Sequence, residues 1–210
     1  MSKIDEIVLA VEKGSKKSVE ALVADALKEN IDPIGILNDG MKKGMDKIGG
    51  KFSKGEAFVP EMLMAARAMK AGMELLKPKL AGKTIVSLGK CIVGTVHGDL
   101  HDIGKNLVAM MLESSGFEVI DLGADVPVDK FIAAVKENQD AKLVALSCLL
   151  TTTMPAMEET TKAIKANTSI GIKVIIGGAP ITQDFANIIG ADGYSPDAAG
   201  AAKLAKDLAA

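Results

Sequence analysis

The feature that most constrains this 210-residue chain is a single change of hydrophobic period. Up to about residue 79 every apolar pattern is helical. Ile4, Ile7, Val8 and Val11 fall at i, i+3, i+4, i+7, with Ser2 and Asp5 as a capping box and Gly14 as a stop. Val19, Leu22, Val23 and Leu27 repeat the pattern after Ser15. Asp32 and Pro33 form a cap followed by proline at a first helical position. Ile34, Leu37, Met41, Met45 and Ile48 then follow along a helix weakened by Gly40, Gly44 and Gly49. A fourth helix is expected over residues 56–76, with Val59, Met62, Leu63, Met69, Met73 and Leu76 inward. The spacing predicts a four-helix bundle as a first domain, residues 1–82. Residues 77–83, with Pro78 and Gly82, read as a linker and hinge.

From about residue 89 short β-branched runs alternate with helical ones. Strands are expected at residues 91–96, 117–122, 143–150 and 173–176, with a weak fifth at 192–195. Helices are expected at 103–114, closed by Gly116, and at 128–137, 155–166, 182–189 and 197–208. Such alternation implies an α/β domain over residues 89–210, with a parallel five-stranded sheet covered on both faces. Ligands of such sheets bind beyond the carboxyl ends of the strands. That directs attention to the loops after Val96, Ser147 and Ile176.

Charge and composition exclude several partners. Lys plus Arg is 25 and Asp plus Glu is 27. Fourteen basic residues face 12 acidic ones up to Gly82, and 11 face 15 after it. Neither half has the basic surplus of a nucleic-acid or anionic-membrane binder. Aromatic residues are 3%, with no Trp, which argues against base-stacking platforms. No apolar run reaches a membrane span, no secretion signal opens the chain, and two Cys make no disulfide scaffold. The expected compartment is the reducing cytoplasm.

Both histidines lie in the loop after the first strand, Val96-His97-Gly98-Asp99-Leu100-His101-Asp102-Ile103-Gly104-Lys105-Asn106. Asp102 could simply cap the following helix. His97, Asp99 and His101 could hold zinc or iron, as in a mononuclear metal-dependent hydrolase, although further ligands would have to come from elsewhere. Gly98 and Gly104 before a helix could suit a phosphate, but no dinucleotide or P-loop glycine pattern is present. Cys148 falls on the opposite strand face from Ser147 and Leu149 and reads as core.

A third reading takes the whole set together. Asp99-x-His101-x-x-Gly104 is followed, after 42 intervening residues, by Ser147-x-Leu149, and after 27 more by Gly177-Gly178. This resembles the cobalamin-binding signature of methyl-carrying corrinoid proteins, including the corrinoid module of methionine synthase and the partners of methanol, methylamine and methoxyarene methyltransferases. Gly55-Glu56-Ala57-Phe58-Val59-Pro60 and Ala66-Arg67-Ala68-Met69-Lys70 resemble the helical cap that precedes that module.

The resemblance implies a flavodoxin-like (Rossmann-like) cobalamin-binding domain after the bundle, with cobalamin or a related corrinoid as cofactor. It implies His101 as the cobalt ligand, Asp99 orienting its ring, and Ser147 extending that relay. Asp102, Gly104, Leu149, Gly177 and Gly178 fall at the cofactor, the glycines admitting its nucleotide tail. Phe58 is the first candidate to shield the upper face, before Met62 and Met64, although six of the 11 Met lie between Met41 and Met73 and also suit an adaptable bundle core. The implied function is a carrier, not a complete enzyme, in anaerobic one-carbon metabolism. It would take a methyl group on cobalt from a substrate-specific methyltransferase to a second one acting on tetrahydrofolate or a thiol, with a reductive activator as a further partner.

Overall fold

The computed structural model describes residues 1–80, 87–167 and 171–210. The chain forms two compact units, Met1–Val86 and Ser87–Ala210.

The first unit is built from α1 (Lys3–Glu12), α2 (Lys16–Lys28), α3 (Pro33–Gly35), a π-helical stretch Ile36–Lys42, α4 (Lys43–Ser53) and α5 (Val59–Leu80). Because α3, the π stretch and α4 are continuous, these make four helical rods. The capping box at Ser2 forms, with Ser2 Oγ accepting the Asp5 N–H at 3.1 Å and the Asp5 carboxylate accepting the Ser2 N–H at 3.1 Å. Asp32 caps α3 by accepting the Gly35 N–H. Ile7, Val11, Val19, Val23, Ile36, Met41, Met62 and Leu76 are fully buried in the bundle. Each such side chain stabilises the fold by about 1.5–3 kcal/mol relative to exposure.

Two expectations change here. The glycines of the third rod are contact points: a β-carbon on Gly44 would lie 2.7 Å from Val11 Cβ, and one on Gly40 would lie 3.1 Å from Ile7 Cγ2. Spaced four residues apart, both glycines face α1. The expected linker is helical at its start, since α5 continues to Leu80 with Pro78 in its last turn. Burial of Leu76 and Leu80, one helical turn apart, holds that end of the helix in place. Residues 81–83 lie outside the described residues.

The second unit is a doubly wound α/β fold. Its strands are β1 (Lys90–Thr95), β2 (Glu118–Asp121), β3 (Ala141–Ser147), β4 (Lys173–Gly177) and β5 (Gly193–Tyr194). All pair in parallel, in the order β2-β1-β3-β4-β5. Between them run α6 (Ile103–Ser115), α7 (Val128–Glu137), α8 (Met154–Asn167) and α9 (Gln183–Ile189), with α10 (Ala198–Ala209) last. Strand alternation divides the core in two. Ile92, Val144, Leu146, Val174 and Ile176 pack with Phe131, Val135, Met157 and Ile164 from α7 and α8. Cys91, Val93, Leu143, Ala145 and Ile175 pack with Ala109, Leu112 and Ala205 from α6 and α10. This strand order has its topological switch point between β1 and β3, where such folds open a crevice at the carboxyl edge. Among the described residues no helix is long and apolar enough to cross a membrane.

Candidate functional site

The loops leaving β1 and β3 meet on one carboxylate. Asp99 is 0% exposed. Its Oδ1 accepts the backbone N–H of His101 at 3.0 Å and the ring Nδ1–H of His101 at 2.8 Å. Its Oδ2 accepts the N–H groups of Leu149 at 2.7 Å and Leu150 at 3.2 Å, and the hydroxyl of Thr153 at 2.9 Å. Burial alone pushes the Asp99 carboxyl up. The donors from Leu149, His101 and Thr153 outweigh that push and hold it well below the usual carboxylate range. Asp99 is thus a fixed anion wired into two loops.

That anion fixes His101. A carboxylate only accepts, so Nδ1 carries a proton, and in the neutral ring Nε2 presents its lone pair. The ring is 51% exposed, and the Thr95 hydroxyl holds the His101 carbonyl at 3.0 Å. A half-exposed imidazole with an oriented tautomer, and with no partner at Nε2 among the described residues, is a ready donor for a soft or borderline metal.

Thr153 was not among the residues singled out from sequence. Ser147, expected to extend the relay, ends β3, and its hydroxyl makes no hydrogen bond among the described residues. Its carbonyl instead accepts the Val96 N–H. Thr153, six residues on, reaches Asp99 because β3 stops at Ser147. The expected strand to residue 150 fails since the Leu149 and Leu150 N–H groups turn to Asp99 in place of a neighbouring strand. Cys148 is buried in the core, as expected, with its Sγ 3.1 Å from both Thr153 Oγ1 and the Leu150 carbonyl. Burial pushes its thiol pKa up.

The remaining sequence candidates divide. A β-carbon on Gly104 would meet nothing within 4 Å, so its backbone faces open space beside His101. Gly178 has φ +134°, and a β-carbon there would collide with the Cys148 carbonyl. Its approach is therefore to its own sheet, and a β-carbon on Gly177 would lie 3.1 Å from the Ser195 carbonyl. Asp102 stands at the start of α6, but its carboxylate accepts the Asn106 amide at 3.1 Å and caps no backbone N–H. Leu100 and Ile103, 76% and 77% exposed, flank His101, and Leu149 and Leu150 are also exposed. In the first unit Phe58 is 66% exposed at the head of α5, its N–H donating to Glu61. Met62 is buried and Met64 exposed.

The hydrolase alternative is corrected by this geometry. His97 Nδ1 pairs with Asp125 at 2.8 Å, whereas Asp99 bonds His101, Leu149, Leu150 and Thr153. Among the described residues no three His, Cys, Asp or Glu side chains converge as a metal cluster.

Comparison with known proteins agrees with this picture. A family model for the B12 binding domain matches residues 89–203, and a second B12 binding domain model matches residues 3–77. Dimethylamine corrinoid protein 1 of Methanosarcina acetivorans is 42% identical over 209 residues, covering 99% of this chain and 97% of that one. The trimethylamine corrinoid protein of Methanosarcina barkeri is 42% identical over 182 residues, 85% of this chain and 83% of its own. Among solved structures, a cobalamin-binding protein from Desulfitobacterium hafniense superposes with TM-score 0.83 at 35% identity over 98% of both chains. The methanol:cobalamin methyltransferase complex of Methanosarcina barkeri gives TM-score 0.84 at 33% identity, over 99% of this chain and 79% of that one. With B12 binding domain models matching both units and a relative 42% identical along 99% of this chain, the chain belongs to the family of B12-binding corrinoid proteins that includes the methylamine corrinoid proteins.

Proposed function

We propose that this chain is a methyl carrier in which His101 would hold the cobalt of a bound corrinoid. The observation that carries the reading is the 2.8 Å bond from His101 Nδ1 to the buried Asp99, on a half-exposed ring whose Nε2 has no hydrogen-bond partner among the described residues. The residues suit the group. Nε2 supplies the nitrogen donor, Leu100, Ile103, Leu149 and Leu150 supply apolar surface around it, and Gly104 leaves the backbone open for a ligand to approach. A bound corrinoid supplies the cobalt that takes up and gives up a methyl group.

The chain's own groups do the rest. Asp99 keeps the proton on Nδ1 and fixes the ring plane, while Leu149, Leu150 and Thr153 keep Asp99 in place. Ser147, Asp102, Gly177 and Gly178 belong to the cofactor's surroundings by the signature alone. Phe58 is proposed as a shield for a bound methyl group from the resemblance alone; within its own unit it is a large apolar side chain exposed at the head of α5.

Partners follow from the carrier role. A donor methyltransferase loads the methyl group, a second methyltransferase passes it to tetrahydrofolate or a thiol, and a reductive activator restores the cofactor. Methylamines are the first donors to test, because the relatives at 42% identity are dimethylamine and trimethylamine corrinoid proteins. Purified full-length chain mixed with hydroxocobalamin should co-elute with it in gel filtration and shift its visible spectrum. Unchanged elution and an unchanged spectrum with folded protein would end the proposal.

A further inference from the structure

Lys105 has no part in the site described above, yet its surroundings are unusual for a lysine. It is 2% exposed, on the third residue of α6, on a face that also buries Ala109 and Leu112. Its Nζ donates to both oxygens of Asp121, at 2.7 and 2.6 Å, and to Asn106 Oδ1 at 2.6 Å. Asp121 ends the edge strand β2, and its Oδ1 also accepts the Gly123 N–H at 2.9 Å. Asn106 in turn donates to Asp102 Oδ2 at 3.1 Å. A chain of polar contacts therefore joins the end of the His101 loop to the end of β2.

Helix stability does not account for this arrangement. A cation in the first turn opposes the helix dipole, and burying an ammonium costs free energy unless it is paired. An apolar side chain would fill the same stripe without either cost. The ordinary way of fixing a helix start is also unused, because the Asp102 carboxylate bonds no first-turn N–H. Ile103 is exposed and Gly104 faces open space, so neither anchors that turn. Among the described residues, the side chains of Lys105 and Asn106 supply the hydrogen bonds that do.

We infer that Lys105 is a positioning residue for corrinoid uptake: its ion pair with Asp121 sets where α6 begins and holds the Gly104 opening beside His101 before the cofactor arrives. The inference rests on the corrinoid-binding reading. A site whose first turn is fixed in advance does not have to be ordered at the moment of binding, which raises affinity and uptake rate.

The test uses the full-length chain without cofactor, followed by mixing with hydroxocobalamin. Lys105→Met keeps the bulk and removes the charge. Asp121→Asn removes the partner at a more exposed side chain and gives the same reading if the methionine variant does not fold. Amide hydrogen exchange at residues 103–107 should rise about tenfold in either variant, with the amides of β3 unchanged. Cobalamin uptake should slow by a similar factor, while the spectrum of the final complex matches wild type. The double variant should be no worse than the worse single one, because both break one pair. Unchanged exchange at 103–107, an equal rise throughout β3, or strictly additive effects would overturn the role of Lys105. A wild-type chain that takes up no cobalamin overturns the corrinoid reading itself, whereas normal uptake by wild type and both variants overturns only this one.

Discussion

Two histidines stand four residues apart in the loop after β1, and each has Nδ1 at 2.8 Å from an aspartate oxygen, His97 from Asp125 in the loop after β2 and His101 from Asp99 in its own loop. Distance does not separate them; the carboxylate's surroundings do. Asp125 is exposed and receives one backbone N–H, from Gly98, besides the His97 ring. The Gly98 N–H, with the His97 ring in a lesser part, draws the Asp125 carboxyl below its ordinary range. Asp99 is fully buried and receives three backbone N–H groups, a hydroxyl and a ring N–H from two loops. Solvent can rearrange the first pair at little cost, whereas the second is set by the fold. Only the second can present a histidine nitrogen in one tautomer and one direction.

The largest effect should come from Asp99→Ala. It leaves the part-buried N–H groups of Leu149 and His101 without their acceptor and empties the space of a fully buried side chain, a loss of about 2–4 kcal/mol in the stability of the cofactor-free second unit, read by denaturant unfolding. Asp125→Ala should leave the same midpoint near wild type. Equal losses at the two positions would erase the distinction between the pairs.

Thr153→Val comes next. It keeps the shape and removes the hydroxyl, and should cost about 1–1.5 kcal/mol while Thr153→Ser restores most of it. Ser147→Ala should change stability less, because its hydroxyl carries none of the bonds to Asp99. The reverse ranking would return the relay to Ser147.

Acid offers a finer probe. The folded-state pKa of Asp99 lies below its unfolded value, so its contribution is fully present above the ordinary carboxylate range and is lost as pH falls through the lowered value. Protection of the Leu149 and Leu150 amides should therefore persist at about pH 4, where an ordinary aspartate is half protonated. Protection already lost at that pH would show that Asp99 is not held as described. The smallest effect should be at His97→Ala, which should leave cobalamin uptake and its spectrum unchanged.

Much of this was readable in the residues, and the failures have particular causes. Strand alternation placed Cys148 in the core and Ser147 on the other face, because the pleat has a period of two whatever lies beyond the strand. The same alternation carried β3 too far, since periodicity does not register a carboxylate 50 residues away that captures the Leu149 and Leu150 N–H groups. Thr153 was missed for the same reason: its partner is 54 residues distant. A run of three threonines directly after an apolar strand was the available signal. Lys105 could have been noticed as a lysine one and two helical turns from inward-facing positions of α6. Pro78 read as a break because its local penalty is plain, while the burial of Leu76 and Leu80 that offsets it is tertiary.

The central claim, that the wired pair supplies the cobalt ligand, has a direct test. Uniformly nitrogen-15-labelled protein is loaded with natural-abundance cobalamin, reduced to the cobalt(II) state and examined by electron paramagnetic resonance. A ligand nitrogen from the protein gives a doublet superhyperfine pattern, whereas the cofactor's own nitrogen-14 base gives a triplet. The account predicts the doublet in the labelled wild type and its loss in His101→Ala, with His97→Ala unchanged. A triplet in the labelled wild type, or a doublet that survives in His101→Ala, would contradict it.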